Sequence, residues 1–189
     1  MSKQGEQKRS LYTQRKNIEI KTEHIVVSLV QDRPGVLSKV AGLLRKRGFN
    51  MKSITVGSTE EKGISRITIV VDGTKTNTEQ VVKQLYKIIE VIKVSDLTMD
   101  NKIVRELALV KLFATKSTRS EIIQIVDIFR ARMVDVAHDS LMVEITGDHQ
   151  KIESFLDLVR PFGIKEIART GITAMNRGIS GEVKVMKIL

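Results

Sequence analysis

The 189-residue chain contains no cysteine and no tryptophan. Disulfides and thiol chemistry are therefore excluded, and stability has to come from a packed apolar core, for which 41% hydrophobic residues suffice. Aromatic residues are only 4% of the chain, too few for the stacking surfaces on which proteins hold unpaired bases. No apolar run approaches the roughly 20 residues that cross a bilayer. The start, Met1 to Arg9, lacks the apolar segment of a secretory signal, so the expected location is the cytoplasm, with no membrane partner. The three histidines, His24, His138 and His149, stand far apart and never at metal-ligand spacing, which reads them as surface or strand-end residues. No nucleophile elbow, phosphate loop or dinucleotide fingerprint is present, and Gly35, Gly42 and Gly48 are too dispersed to cradle a pyrophosphate. Asp135, Asp139 and Glu144 are either solvated charges near a hairpin or a weak site for a divalent ion; solvated charge is the simpler reading, and no metal site is assigned. With no catalytic residue to name, the chain is not expected to be an enzyme by itself.

Positive charge is in excess, at +10. Lysine and arginine are nevertheless scattered over helix faces and strand ends, and none of the recognition elements of nucleic-acid binders is found, so no nucleic-acid partner is expected. Residues 1–22 form a basic N-terminal extension, with Lys3, Lys8, Arg9, Arg15, Lys16 and Lys21 against Glu6 and Glu19. It is either a solvated extension or a docking segment for an acidic partner.

The most informative stretch runs from Ser28 to Leu37, SLVQDRPGVL, where a buried strand passes into a helix with no room for a long loop. Pro34 presets a helical φ, Gly35 lets a ligand approach the backbone, and the first N–H groups of a helix lack internal partners. Together they suit a carboxylate. Asp32 at the mouth either caps the helix or accepts hydrogen bonds from a ligand's ammonium group. Asp-x-Pro-Gly is also an ordinary way to begin a helix, so these residues alone leave both readings open.

Beyond this loop the chain makes the same structural sentence twice. The spacing predicts a strand over 24–30, a helix over 35–47, strands over 50–57 and 64–71, a helix over 77–90 and a strand over 91–98. A second pass gives a strand over 104–115, a helix over 119–130, strands over 132–138 and 141–147, a helix over 149–160 and a strand over 164–173. Each half reads βαββαβ, so the expected class is α+β, two tandem ferredoxin-like sandwiches with the boundary at residues 99–102. Thr118 and Glu121 fit a capping box, and Asp148 a helix cap. The apolar end of Ser65 to Val71 suggests a strand with one face under helices and the other against a second subunit. Halves of this size have thin cores, which predicts a homodimer that buries one edge or face of each.

The first half, from the Asp32–Gly35 loop through Gly48-Phe49-Asn50-Met51-Lys52-Ser53-Ile54, resembles an ACT domain, a small-molecule sensing module. Arg105 to Lys111 (RELALVK) and Ala168 to Gly178 (ARTGITAMNRG) narrow the resemblance to the small regulatory subunit of acetohydroxyacid synthase, over about residues 23–178. The implied domains are an ACT domain at 23–99 that binds an effector, a second ferredoxin-like domain at 100–178, and a C-terminal tail at 179–189. The resemblance further implies a catalytic subunit as partner, raised activity of that subunit, and feedback inhibition by valine or a related branched-chain amino acid. Thiamine diphosphate, Mg²⁺ and flavin (FAD) would then belong to the catalytic subunit and none to this chain. The implied effector site uses the amides of Gly35, Val36 and Leu37 for the carboxylate, Asp32 and Asn50 for polar orientation across a subunit seam, and Leu37 and Ile54 for the side chain. Many members have asparagine where this chain has Asp32. The competing reading is an amino-acid-sensing ACT protein that regulates transcription or assembly without an enzyme partner; the former would need a helix-turn-helix, and residues 100–178 read as a sandwich instead.

Overall fold

The computed structural model describes residues 23–74 and 77–178; the basic extension and the C-terminal tail lie outside the described residues. The chain divides into two compact units, one formed by residues up to Lys102 together with those from Ala174 onward, the other by Ile103–Thr173.

In the first unit the elements are β1 (Glu23–Gln31), α1 (Val36–Lys46), β2 (Met51–Ser58), β3 (Ile64–Asp72), α2 (Thr78–Leu85) and β4 (Val91–Asp96). The four strands form an antiparallel sheet in the order β2-β3-β1-β4, the ferredoxin-like arrangement. Alternation along β1 and β3 points Val26, Val30, Ile67, Ile69 and Val71 at Val36, Val40 and Leu44 of α1 and at Val81 and Leu85 of α2, which together make the core. Ile25, Val27, Thr68 and Val70, on the opposite face of these two strands, are buried as well. Helix α2 stops at Leu85, short of the expected residue 90, with Tyr86 as its C-cap; the Tyr86 hydroxyl bridges the N–H and C=O of Val94 on β4. Asn77 caps the other end, its Oδ1 accepting from Glu79 N at 2.9 Å.

The second unit repeats the plan with β5 (Lys102–Phe113), α3 (Arg119–Ile128), β6 (Arg132–Val136), β7 (Ser140–Gly147), α4 (His149–Val159) and β8 (Ile164–Arg169), in the strand order β6-β7-β5-β8. Its core joins Ala108, Val110 and Leu112 to Ile122 and Val126 of α3 and to Ile152, Phe155, Leu156 and Val159 of α4, with Phe129 edge-on to Phe155. It is a sandwich and not a helix-turn-helix. Asp148 caps α4 by accepting from Lys151 N at 2.8 Å. The capping box expected at Thr118 does not form: Thr118 makes no side-chain cap, and its hydroxyl instead accepts from Thr115 N at 3.0 Å, closing a turn ahead of α3. The strand expected over 164–173 is interrupted after Arg169, where Gly171 takes φ 82°; a short strand β9 (Thr173–Asn176) follows. From Ala174 the chain belongs to the first unit, where Arg66 Nη2 donates to Ala174 O at 2.8 Å and Arg177 N to Asn101 O at 2.9 Å.

Candidate functional site

The turn between β1 and α1 is held at two points by main-chain hydrogen bonds. Asp32 N donates to Gly63 O in the β2–β3 turn, and Gln31 N to Glu90 O in the α2–β4 turn, each at 2.8 Å. Pro34 lies in the turn itself and not in the first helical turn, which begins at Val36 with Gly35 as N-cap. Gly35 has φ 86° and ψ −10°, a left-handed conformation that costs any residue with a Cβ. No side chain caps α1, so Asp32 leaves its carboxylate for another role. Val36 N donates to Arg33 O at 3.3 Å and Lys39 N to Gly35 O at 3.0 Å, whereas the N–H groups of Gly35 and Leu37 meet no backbone acceptor among the described residues. Orphan donors and the positive end of the helix dipole thus face outward at one point.

Side-chain positions sort the expected site residues. Val36 is buried, so only its backbone is available, while Leu37 on the adjoining face is 45% exposed although its neighbours in the apolar stripe, Val40 and Leu44, are fully buried. Asp32 and Gly35 are exposed. Ile54 on β2 is partly buried against the core. Asn50 lies elsewhere: its carbonyl accepts from Asp72 N at 2.9 Å. The register explains why. Gln31 pairs with Ile64 and Ser58 with Ser65 at one end of the sheet, Glu23 with Asp72 and Met51 with Val71 at the other. Within one chain Asn50, opposite Asp72, and Asp32, opposite Gly63, are therefore roughly 30 Å apart, the rise of nine strand residues. One chain brings Asp32, Gly35, Val36 and Leu37 together and leaves Asn50 out.

Two further residues complete the surroundings of this turn. Lys39 Nζ forms an ion pair with Glu90 Oε1, and the Glu90 side chain is only 16% exposed. The hydrogen bond from Lys39, then Glu90's own backbone amide and the charges of Lys39 and Arg33, hold the Glu90 carboxyl below the usual carboxylate range. Sequence reasoning missed this pair; the signal was an acid set inside the apolar run Ile88-Ile89-Glu90-Val91. It also missed that the two second-half signatures meet. Arg169 Nε and Nη2 donate to both oxygens of Glu106 at 2.6 and 2.9 Å, and Nη1 donates to Glu153 at 2.6 Å. Glu106 is 5% exposed, and its hydrogen bonds, with those of Glu153, push the Arg169 guanidinium still further above its high ordinary range. Beside the pair, Leu107 and Thr170 exchange hydrogen bonds through Leu107 N to Thr170 Oγ1 at 3.2 Å and Thr170 N to Leu107 O at 3.1 Å. These signatures thus lock β8 to β5.

Asp139 does not gather with Asp135 and Glu144. It binds Lys165 Nζ at 2.8 Å, and that hydrogen bond lowers its pKa. Among the described residues no three His, Cys, Asp or Glu side chains are placed to hold a metal ion, and no helix is long and apolar enough to cross a membrane.

The geometry can be set beside known proteins. Residues 27–93 match the model of the AHAS small subunit-like ACT domain, and residues 105–178 that of the small subunit of acetolactate synthase. The chain is 53% identical over 156 residues to the probable acetolactate synthase small subunit of Archaeoglobus fulgidus, covering 82% of this chain and 98% of that one. It is 50% identical over 157 residues to the acetolactate synthase small subunit of Bacillus subtilis, covering 82% and 91%. The crystal structure of the small subunit from Thermotoga maritima superposes with a TM-score of 0.77 at 46% identity, over 82% of this chain and 98% of that one. The chain belongs to the family of acetolactate synthase small, regulatory subunits, with an ACT domain as its first half.

Proposed function

We propose that the chain binds the catalytic subunit of acetolactate synthase (acetohydroxyacid synthase), raises its activity, and makes it sensitive to feedback inhibition by valine or another branched-chain amino acid. The observation that carries the reading is the anchored β1–α1 turn, where a left-handed Gly35, outward N–H groups and an uncommitted Asp32 stand beside an exposed Leu37. The carboxylate binds at the amides of Gly35 and Leu37, with Val36 N available if its 3.3 Å bond to Arg33 O yields, and Asp32 takes the ammonium group. Leu37 and Ile54 receive the branched side chain.

Asn50 joins this site from a second copy. Strand β2 is an edge, and both β1 and β2 run antiparallel to β3. A two-fold axis that pairs β2 with its counterpart makes the two edges antiparallel, which carries the partner's first β2 residues to the sheet end where Asp32 stands. The homodimer is thus part of the site and not an accessory to it. Thiamine diphosphate, Mg²⁺ and flavin are assigned to the catalytic subunit; this chain acts by favouring a competent arrangement that the subunit visits rarely alone.

Mixing purified chain with purified catalytic subunit tests the reading. Acetolactate formation should rise on mixing and fall again on adding valine, with no product from this chain alone. Product from the isolated chain, or no stimulation, would remove the regulatory role.

A further inference from the structure

We propose that Glu90 sets the charge preference of the effector turn, so that the site favours a zwitterionic amino acid over the 2-oxo acid of the same carbon skeleton. This rests on the effector-site reading above. Glu90 is bound to the turn twice: its carbonyl accepts from Gln31 N, the last residue of β1, and its carboxylate pairs with Lys39, one helical turn beyond Gly35. Glu90 is the less exposed partner, at 16% against 59% for Lys39, so the anion is the fixed element and the lysine comes to it. Arg33, on the turn itself, acts on the same carboxylate. Without Glu90, Arg33 and Lys39 would lose the carboxylate that offsets them, and the potential at the turn would shift in favour of any anion.

The ligand carboxylate needs no such cation, because helix N–H groups and the dipole already receive it. An amino acid adds one charge of each sign and finds Asp32 for its ammonium group. The 2-oxo acid adds only the negative charge, and with Glu90 offsetting Lys39 and Arg33 the turn offers it nothing in return for the lost ammonium contact. Glu90 thereby acts as a specificity residue without touching the ligand.

The test uses the full chain and two ligands of one shape: valine by titration calorimetry, and 3-methyl-2-oxobutanoate by its competition with valine. In Glu90→Gln the affinity ratio should move toward the oxo acid by about threefold or more, the effect of one charge at a partly solvated site. Lys39→Met should move it the other way, the double variant should return near the starting ratio, and Glu90→Asp should keep it. An ion pair that only holds the fold would weaken both ligands equally; an unmoved ratio, including oxo-acid binding that stays undetectable in Glu90→Gln, overturns the proposal. Gly35→Asp separates the two readings. If that variant binds valine as well as the unaltered chain, the turn is not the site and both readings fail; if it loses valine while the Glu90→Gln ratio stays put, only this inference fails.

Discussion

At the scale of single residues, Gly35 and the Glu106–Arg169 pair are the most exposed to test. A Cβ at Gly35 would meet nothing within 4 Å, so the cost of substitution lies in the left-handed φ and not in collision. Gly35→Asp should therefore fold, with a loss of about 1 to 2 kcal/mol of stability, while valine binding falls by several kcal/mol because a carboxylate now stands where the ligand's belongs. Calorimetry against the melting temperature separates the two effects. Arg169→Gln acts differently. It leaves the buried Glu106 carboxylate with two fewer donors and should destabilise the second unit by about 2 to 4 kcal/mol in denaturant unfolding, a loss that Glu106→Gln in the same chain should partly restore. Both residues lie in signatures visible in the sequence, yet nothing in their spacing of 63 positions announced that they touch.

Among elements, the proposed sharing of the site between two copies rests on the edge strand β2. If Asn50 serves the turn of the other copy, chains carrying Gly35→Asp and chains carrying Asn50→Ala should complement each other. Random pairing of equal amounts makes half the dimers mixed, and each mixed dimer has one intact site and one with both defects, so about a quarter of all sites should bind valine normally. Calorimetric stoichiometry reads this directly. If both residues served one chain's own site, no intact site would form on mixing. Helix periodicity made most of these elements legible beforehand: the stripes Ile122-Ile125-Val126-Phe129 and Ile152-Phe155-Leu156-Val159 are the ones packed in the second core. The early end of α2 and the break after Arg169 were not legible, since Tyr86 binds a strand eight residues later and Gly171 has to pass Thr170 back to Leu107.

For the whole molecule, regulation requires valine to bind one arrangement of the complex more tightly than another. A coupling of about 1 to 3 kcal/mol is usual for such effects, and by reciprocity the assembled complex should bind valine with a different affinity from the free dimer. Titrations of the two under the same conditions check this; equal affinities alongside intact inhibition would exclude an equilibrium shift at the β1–α1 turn. A fragment that ends at residue 99 is informative too. It should retain the effector turn but lacks Ala174, so Arg66 loses the carbonyl that receives its Nη2. Its melting temperature should lie below that of the first unit in the full chain.

What the sequence by itself determined is whatever depends on neighbours close in the chain. Two passes of strand, helix and hairpin follow from apolar periods of two and 3.6, the Asp148 cap from a residue three places ahead of its donor, and the strand-to-helix turn from Asp32 to Gly35 being contiguous. Tertiary structure alone decided what depends on which strand lies beside which. It turned Leu37 outward while Val36 went inward, put Glu90 against Lys39, and closed Glu106 on Arg169. It also set Asn50 and Asp32 at opposite ends of one sheet, because β1 and β2 share a direction only through the strand between them. Local periodicity records the face of an element; which end of a sheet a residue reaches, and which partner waits there, is a property of the register between strands.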